Sequence, residues 1–502
     1  MSASAAPLRV RVRAGGLSGA IADWTLIGLA AAVTLAIGTT AALEVSQAWD
    51  SPYYHLPFAA RLVGILPPSG FVFHPANQAR FDGFPLLGER LQGILWRLTG
   101  RPESANLVAF ASVPLFAWFL RRRFGVGWAV AVLALFAVPL VHTHASSAYV
   151  DLPANAALSV AILLAIEAFA RPGPVSPATL FLSCAAAAIA ANMKALLHPL
   201  AAIAVGALAL RALPSLLRDL RGERGERATT AQALRLRALL TVVGFLLTLP
   251  VIFATPLANL VAHGNPYYPL RMTILGHALP GLEDTYASSP AWLAAWPRPV
   301  RFVCSLFEIG IRPLTDPRRW TVDQWMPDES GGNRMGGFFS VYVGLNLALL
   351  GWRAVRDRSR ATRAAAVGFA IFSVAVSVMP QSHELRYYLS WIIVLVALNL
   401  WLSATGVGPS ERAVGFVAAA ALGVVIGSTR GAYMLPLGSS FEAIVKAKVD
   451  SNALARLKDG ERVCVRREPW NLLWAPVFHP PGRYVVVEAE EASDCGDVRP
   501  LE

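Results

Sequence analysis

The sequence predicts an all-α polytopic membrane protein with about eleven transmembrane helices and a small α/β domain at its C-terminal end. Of its 502 residues, 55% are hydrophobic and only 15% are charged, whereas a soluble domain carries about 25% charged residues. The charged residues concentrate in short segments between long apolar runs. The tail, about 431–502, is polar, alternates apolar and polar residues in Arg462–Val465 and has a β-branched run at Tyr484–Val487.

The apolar runs define the helices. A membrane helix needs roughly 20 apolar residues, and lipid offers no hydrogen-bond partners, so these runs must be helical. The predicted helices are 21–43, 105–120, 125–144, 152–170, 178–192, 195–212, 238–256, 337–352, 364–380, 387–404 and 413–430. The first run exceeds a signal-peptide core of roughly 7–15 residues, which predicts a retained helix.

The basic residues set the orientation. The net charge of +12 does not indicate nucleic acid, because the arginines lie in alternate loops instead of on one face. Basic loops mark the cytoplasmic side, so the N-terminus is predicted to be cytoplasmic. The predicted outer segments are 44–104, 145–151, 192–198, 257–336 and the tail. Residues 1–430 form the predicted membrane domain and 431–502 a small extracytoplasmic domain.

Two cysteines lie in the polar tail. Cys464 and Cys495 can form a disulfide if the tail lies outside the cytoplasm. The alternative is a pair of free thiols.

Acidic and aromatic residues cluster at the start of the first outer loop, where Asp50 lies between Trp49 and the run Tyr53-Tyr54-His55. Partial desolvation raises the pKa of a carboxyl toward the value that a general base needs. The alternative is a helix N-cap, because Asp before Ser-Pro is a typical helix start. Further along, Leu87 to Leu98 has the spacing of an amphipathic helix, either on the membrane surface or packed against other helices.

Further ionisable residues lie at predicted helix ends. His142, His144 and Asp151 could suggest a metal site, but zinc needs three or four ligands, and the alternative is polar residues at a helix end. Lys194 and His198 interrupt an apolar stretch. Lys194 could bind a phosphate or extend toward the headgroups.

The last two candidates lie in later outer segments. Arg386 could bind a phosphate bidentately or anchor the helix beside Tyr387 at the interface. Tyr267 lies in the rigid Gly-Asn-Pro-Tyr-Tyr-Pro turn and could stack on a sugar or lie at the interface. No Walker motif, dinucleotide fingerprint or nucleophile elbow occurs, which argues against nucleotide-driven pumping and nucleotide-sugar binding.

Together these segments resemble the GT-C superfamily of polyprenyl-phosphate-dependent glycosyltransferases, which includes protein mannosyltransferases, aminoarabinose transferases and oligosaccharyltransferases. The resemblance covers most of residues 20–405. It is carried by these motifs, in chain order: Trp49-Asp50-Ser51-Pro52-Tyr53-Tyr54-His55, Phe84-Pro85-Leu86-Leu87 to Gly100, Tyr149-Val150-Asp151-Leu152-Pro153, Asn192-Met193-Lys194 and Arg386-Tyr387-Tyr388. The family's first motif often reads Asp-Glu. Ser51 replaces the Glu here, which weakens the expectation of a divalent metal, and no cofactor is assigned.

The resemblance implies an inverting transfer of a sugar from a polyprenyl-phosphate donor to a lipid, glycan or protein acceptor. The site would face the outside of a bacterial-type inner membrane. Asp50 would be the base, Asp151 would stabilise the reacting sugar, and Lys194 and Arg386 would bind the phosphate. The expected substrate-binding residues also include Tyr54, His55, His198, Tyr267 and Tyr387.

Two other functions fit a chain of this kind. One is a lipid-linked oligosaccharide polymerase or ligase of another membrane fold, which would rely on Arg and His in late loops. The other is a lipid-sugar flippase or transporter, which predicts internal repeats and charges in mid-helix. The sequence shows few mid-helix charges and no evident repeat.

Overall fold

The computed structural model describes residues 17–221, 228–274, 276–284, 293, 295–310, 313–320, 337–428, 438–480 and 482–501. Within these ranges, eight helical segments are long and apolar enough to cross a membrane. They contain α1 Leu17–Leu43, α5 Leu107–Phe124, α8 Asp151–Ala170, α10 His198–Arg221, α11 Ala228–Ile252, α14 Gly337–Arg356, α15 Arg360–Val378 and α17 Glu411–Ser428. Two shorter apolar helices, α9 Pro177–Met193 and α16 Ser390–Ala404, complete ten of the predicted segments.

The prediction of one continuous helix over 125–144 is wrong. The segment consists of α6 Trp128–Phe136 and α7 Pro139–His144, with Val138 in an extended conformation between them. Pro139 supplies no amide hydrogen for a continuous helix, and its ring disfavours helical geometry in the preceding residue. The expected all-α membrane fold is confirmed, with this one segment divided.

Helices α8 and α16 form the centre of the bundle. Nearly every residue of both is buried, and they contribute to one continuous apolar core. Helix α11, at the periphery of the bundle, instead exposes Leu239, Leu246 and Leu247, as expected for a face in contact with lipid. The two central helices therefore form a rigid support for the segments at their ends.

The predicted first outer loop, 44–104, folds into short elements. A π-helix, Ser51–His55, leads into α2 Leu56–Leu62, followed by β1 Phe71–Val72, α3 Pro75–Gly83 and α4 Leu87–Thr99. Helix α4 exposes Leu91, Ile94 and Leu98, the face expected to contact the membrane surface. Its polar residues Glu89 and Gln92 are buried against the protein.

The long outer loop is only partly described. It contains α12 Ala254–His263, then a small sheet formed by β2 Leu270–Ile274, β3 His277–Leu279 and β4 Glu283–Asp284. Helix α13, Arg298–Phe307, follows. The Tyr267 turn comes directly before this sheet, so the predicted rigid turn connects α12 to β2.

The tail contributes α18 Phe441–Lys448, α19 Ser451–Ala455, β5 Arg462–Val465, β6 Val485–Glu488 and β7 Arg499–Leu501. The expected small α/β domain is confirmed, and its sheet has the order β1-β6-β5-β7 with parallel pairs. Strand β1 comes from the first outer loop and pairs Phe71 with Val486. Loop and tail also share an apolar core, so they form one unit on one side of the bundle. Cys464 and Cys495 are joined by a disulfide.

Candidate functional site

Asp50 lies between α1 and the π-helix, and its side chain does not cap that helix. The Asp50 carboxylate instead accepts a hydrogen bond from Arg386, with Nη1 and Oδ2 3.0 Å apart. Its backbone amide donates to the hydroxyl of Tyr149 at 3.2 Å. The helix-cap interpretation is therefore wrong, and the carboxylate is oriented by a guanidinium from a distant part of the chain.

Asp151 is the first residue of α8 and is almost fully buried. Its carboxylate accepts a hydrogen bond from the ammonium of Lys194. Lys194 has an extended backbone between α9 and a 3₁₀ turn, Ala195–Leu197, so the predicted break in this apolar stretch is confirmed. Since burial of an isolated charge is costly, each group stabilises the ionised form of the other.

Arg386 lies on a 3₁₀ turn, Leu385–Tyr388, just before α16. The centre of its guanidinium lies 4.9 Å from the ring centroid of Tyr387 and 5.4 Å from that of Tyr149. The Lys194 ammonium also lies over the Tyr387 ring, 4.1 Å from its centroid. Burial acts to lower the pKa of Arg386, but Tyr387, Asp50 and Asp151 raise it well above its ordinary value.

The structure thus brings Asp50, Asp151, Lys194 and Arg386 together as two ion pairs that share the Tyr387 ring. We call these four residues the ion-pair cluster. They come from four segments that are far apart in sequence. The charges of the two carboxylates and the two cations balance. The tyrosine rings beside the Lys194 ammonium and the Arg386 guanidinium add a favourable cation–π interaction.

Asn155 supports the cluster and was not predicted. It lies one turn into α8, fully buried, and its amide donates to the carbonyls of Asp151 at 2.8 Å and Tyr387 at 3.2 Å. Its side-chain oxygen accepts from the amide of Ser390 at 3.0 Å. Asn155 therefore joins the Asp151 end of α8 to the Arg386 turn. The signal in the sequence was an Asn four residues after Asp151 inside an apolar helix.

Glu384 is a further residue of this region that the sequence did not single out. It precedes Arg386 by two residues, and burial raises the pKa of its carboxyl, although the charge of Arg386 opposes the shift. Asp50 and Asp151 act in the same direction as burial. The region therefore contains a third carboxyl that holds its proton more tightly than an exposed one.

Tyr54 and His55 lie on the π-helix directly after Asp50. Their ring centroids are 4.3 Å apart, and the His55 ring is 5.5 Å from Tyr149. His55 is buried, and its Nδ1 lies 2.8 Å from Oε1 of Glu89 on α4. His55 therefore adjoins the cluster through Tyr149, and Tyr54 packs against His55. Glu89 is a partner that the sequence did not indicate.

His198 and Tyr267 form a separate group. Their ring centroids are 6.4 Å apart, and His198 also lies 5.8 Å from the Phe253 ring. The backbone amide of Tyr267 donates to Asn265 at 2.9 Å. This group lies at the junction of α10, α11 and α12, where His198 is the first residue of α10.

His142 and His144 are buried at the end of α7. Among the described ranges of the chain, no group of three or more His, Cys, Asp or Glu side chains is placed to hold a metal ion. His144 instead packs against Tyr149, with ring centroids 5.3 Å apart. Its position favours the interpretation as a packed residue at a helix end.

No family model and no curated protein matches the chain. Two solved structures have a similar fold, both of ArnT from Cupriavidus metallidurans. The apo structure gives a TM-score of 0.50 at 13% identity, covering 96% of this chain and 90% of that one. The structure bound to undecaprenyl phosphate gives 0.49 at 12% identity, covering 95% and 90%.

The chain is therefore a polytopic membrane protein whose bundle and appended α/β domain follow one known architecture. That architecture is the fold of ArnT. The fold expected from the sequence resemblance is confirmed. At 13% identity the likeness extends to fold alone, so chemistry must be argued from the site.

Proposed function

We propose that the protein is a membrane glycosyltransferase that moves a sugar from a polyprenyl-phosphate donor to an acceptor on the extracytoplasmic side. The observation that carries this proposal is the ion-pair cluster. Two cations suited to a phosphate and two carboxylates suited to the reacting sugar meet at one site. The fold shared with ArnT supports the same class of activity.

The phosphate of the donor is the group that the two cations would bind. A Lys ammonium binds phosphate as a point charge, and a guanidinium can bind it through two parallel hydrogen bonds. The leaving phosphate is already a stable anion, so it requires charge stabilisation more than protonation. Lys194 and Arg386, which both contact the Tyr387 ring, supply that stabilisation.

The chemical step is a single displacement at the anomeric carbon of the sugar. The acceptor oxygen forms a bond to that carbon while the bond to the phosphate oxygen breaks, and the electron pair of the broken bond stays on the phosphate. The proton of the acceptor hydroxyl passes to the Asp50 carboxylate. Positive charge builds on the sugar in the transition state, and Asp151 stabilises it. The anomeric configuration is inverted.

The sidedness of the site is supported by the tail. The Cys464–Cys495 disulfide is typical of an oxidising compartment. The tail shares a sheet and a core with the first outer loop, which begins beside Asp50. Basic residues such as Arg123, Arg353 and Arg356 lie at the opposite helix ends, as expected for the cytoplasmic face.

Tyr54, His198 and Tyr267 are proposed to line the path of the substrates. Tyr54 lies next to the cluster, and burial raises the pKa of its hydroxyl well above the ordinary value, so it remains a neutral hydrogen-bond donor. His198 and Tyr267 offer an aromatic wall on α10 and the long loop, suited to a lipid chain or a sugar ring.

The test uses the purified full-length protein in lipid nanodiscs. It is incubated with synthetic undecaprenyl-phosphate hexose, pentose and amino-pentose and with a bacterial lipid extract as acceptor. Mass spectrometry should detect free undecaprenyl phosphate and a glycosylated acceptor lipid. Arg386→Ala should lower the rate by about 100-fold or more, whereas Glu442→Gln, an exposed tail residue, should match the wild type. Movement of intact donor across the bilayer without bond cleavage would favour a flippase instead.

A further inference from the structure

Helix α4 has a polar face that points into the protein. Glu89 and Gln92 are 3% and 0% exposed, while the opposite face exposes Leu91, Ile94 and Leu98. A buried carboxylate in a short surface helix is costly unless it has a partner. Its retention at this position therefore calls for a specific contact, which lies in the first outer loop.

The partner of Glu89 is His55. The two side chains meet at 2.8 Å, and both are buried. His55 is the last residue of the π-helix that begins directly after Asp50. In the part of the chain that the structure describes, neither His55 Nε2 nor Glu89 Oε2 has a hydrogen-bond partner. The pair is sealed from solvent and connects α4 to the segment that carries Asp50.

The same face of α4 holds the segment that carries Asp151. The side-chain amide of Gln92 donates to the carbonyl of Ala148 at 2.5 Å. Gly88 lies so close to Val150 that an added Cβ would be 2.4 Å from the Val150 side chain. Between Ala148 and Val150 lies Tyr149, whose hydroxyl accepts a hydrogen bond from the backbone amide of Asp50.

We infer that Glu89 is a positioning residue for the transfer reaction: through His55 it fixes the Asp50 segment, and with Gln92 it keeps that segment aligned with Asp151. This inference rests on the proposed function. Because both acids lie on segments clamped by one helix face, their separation is set by α4. Lys194 and Arg386 lie on other elements, directly after α9 and on the 3₁₀ turn before α16.

The test compares Glu89→Ala with Glu89→Gln in the full-length protein, using the donor that the wild type consumes best. Glu89→Ala should lower kcat about 100-fold, since a displacement near 1 Å has such an effect. The dissociation constant for undecaprenyl phosphate alone should not rise, because both cations are retained and a displaced Asp50 competes less for Arg386. Glu89→Gln should recover most of the rate, because its amide oxygen can still accept from His55. The matched control is Arg90→Ala, on the exposed side of the same helix.

A second readout is independent of activity. Hydrogen exchange of residues 51–56 and 149–151 should be about tenfold faster in Glu89→Ala than in the wild type, because a hydrogen bond to a charged group is lost. If Glu89→Ala does not fold, Gln92→Ala tests the same clamp at Ala148. Unchanged kcat and exchange, or faster exchange extending to 390–404, would overturn the inference. If the wild type consumes no donor, the proposed function fails, and exchange alone decides whether α4 positions these segments.

Discussion

Helix α8 carries a buried acid at each end, and the two ends differ in how the charge is compensated. At one end, Asp151 pairs with Lys194 within the ion-pair cluster. At the other end, about 24 Å away along the helix, Glu167 accepts a hydrogen bond from Arg123 at 2.6 Å and forms a salt bridge with Arg171 at 2.7 Å. Arg123 also donates to Thr179.

The difference lies in the ratio of acids to cations. Glu167 has two guanidiniums for one carboxylate, and the group joins α5, α8 and α9. In the ion-pair cluster each cation has its own acid, so an incoming phosphate competes with a carboxylate for each cation. Burial of charge alone therefore does not identify a functional site. A balanced cluster beside aromatic rings can exchange partners, whereas an acid with surplus arginines is suited to a structural role.

The largest expected effect concerns catalysis at the two ends. Asp151→Asn should lower kcat about 100- to 1,000-fold, because it removes charge stabilisation of the transition state. Glu167→Gln should leave kcat per folded molecule within about twofold, because it lies about 24 Å from the reacting atoms. The measurement is donor turnover normalised to folded protein by size-exclusion chromatography. An equal loss of kcat in both variants would erase the distinction.

The loss of stability should have the reverse order, larger for Glu167→Gln than for Asp151→Asn. Glu167→Gln replaces a carboxylate that joins three helices and should cost about 3 kcal/mol, the upper value for hydrogen bonds to a charged group. Asp151→Asn should cost less, because Asp50 remains near the two cations. Thermal unfolding in a single detergent measures both variants, with Glu442→Gln as control. A larger loss of stability for Asp151→Asn than for Glu167→Gln would contradict the structural role assigned to Glu167.

Partner exchange can be tested by removing one competitor. Asp50→Asn takes away the carboxylate that holds Arg386 at 3.0 Å. This variant should bind undecaprenyl phosphate about fivefold more tightly, equivalent to about 1 kcal/mol, while losing transfer. Microscale thermophoresis in nanodiscs gives the dissociation constants. Weaker phosphate binding by Asp50→Asn would show that Asp50 assists the lipid phosphate instead of competing with it.

Glu468 in the tail offers the smallest effect, because the charge of Arg80 only partly offsets the influences that raise its pKa. Burial and the charges of Glu490 and Glu488 raise its pKa to about 7. The folded state therefore retains a proton that the unfolded state has lost, so this contribution is complete below about pH 4.5 and disappears as pH rises through 7. Glu468→Gln should stabilise the tail at pH 8 by at most about 1 kcal/mol, because Glu468 is partly exposed, and should have no effect at pH 4. A pH-independent difference in melting temperature would contradict this origin.

The sequence was sufficient for features that depend on local composition. Apolar runs predicted the helices, and Lys194 was placed at a break because a continuous helix would have put arginine-rich loops outside. Pro139 divided a run that is apolar on both sides, so hydropathy alone could not show the break. The sequence could suggest Asp50 and Arg386 separately, but their 3.0 Å contact joins residues far apart in the chain.

Contacts between residues far apart in the chain also explain the other features that the sequence did not predict. Strand β1 has two residues, and its partner β6 begins at Val485, so no local pattern could indicate it. The spacing of Leu87 to Leu98 predicted an amphipathic helix either on the membrane surface or packed against other helices, and this spacing alone could not show that Glu89 would be buried. In a membrane protein the apolar face can point to lipid instead, which leaves the polar face for contacts within the protein.

The most direct test of the central claim is an experimental structure of the full-length protein in nanodiscs with undecaprenyl phosphate. We expect the phosphate within about 3–4 Å of both Lys194 Nζ and an Arg386 guanidinium nitrogen, with the Asp50–Arg386 contact lengthened or lost. A phosphate bound more than about 10 Å from both cations, with both ion pairs unchanged, would contradict the account.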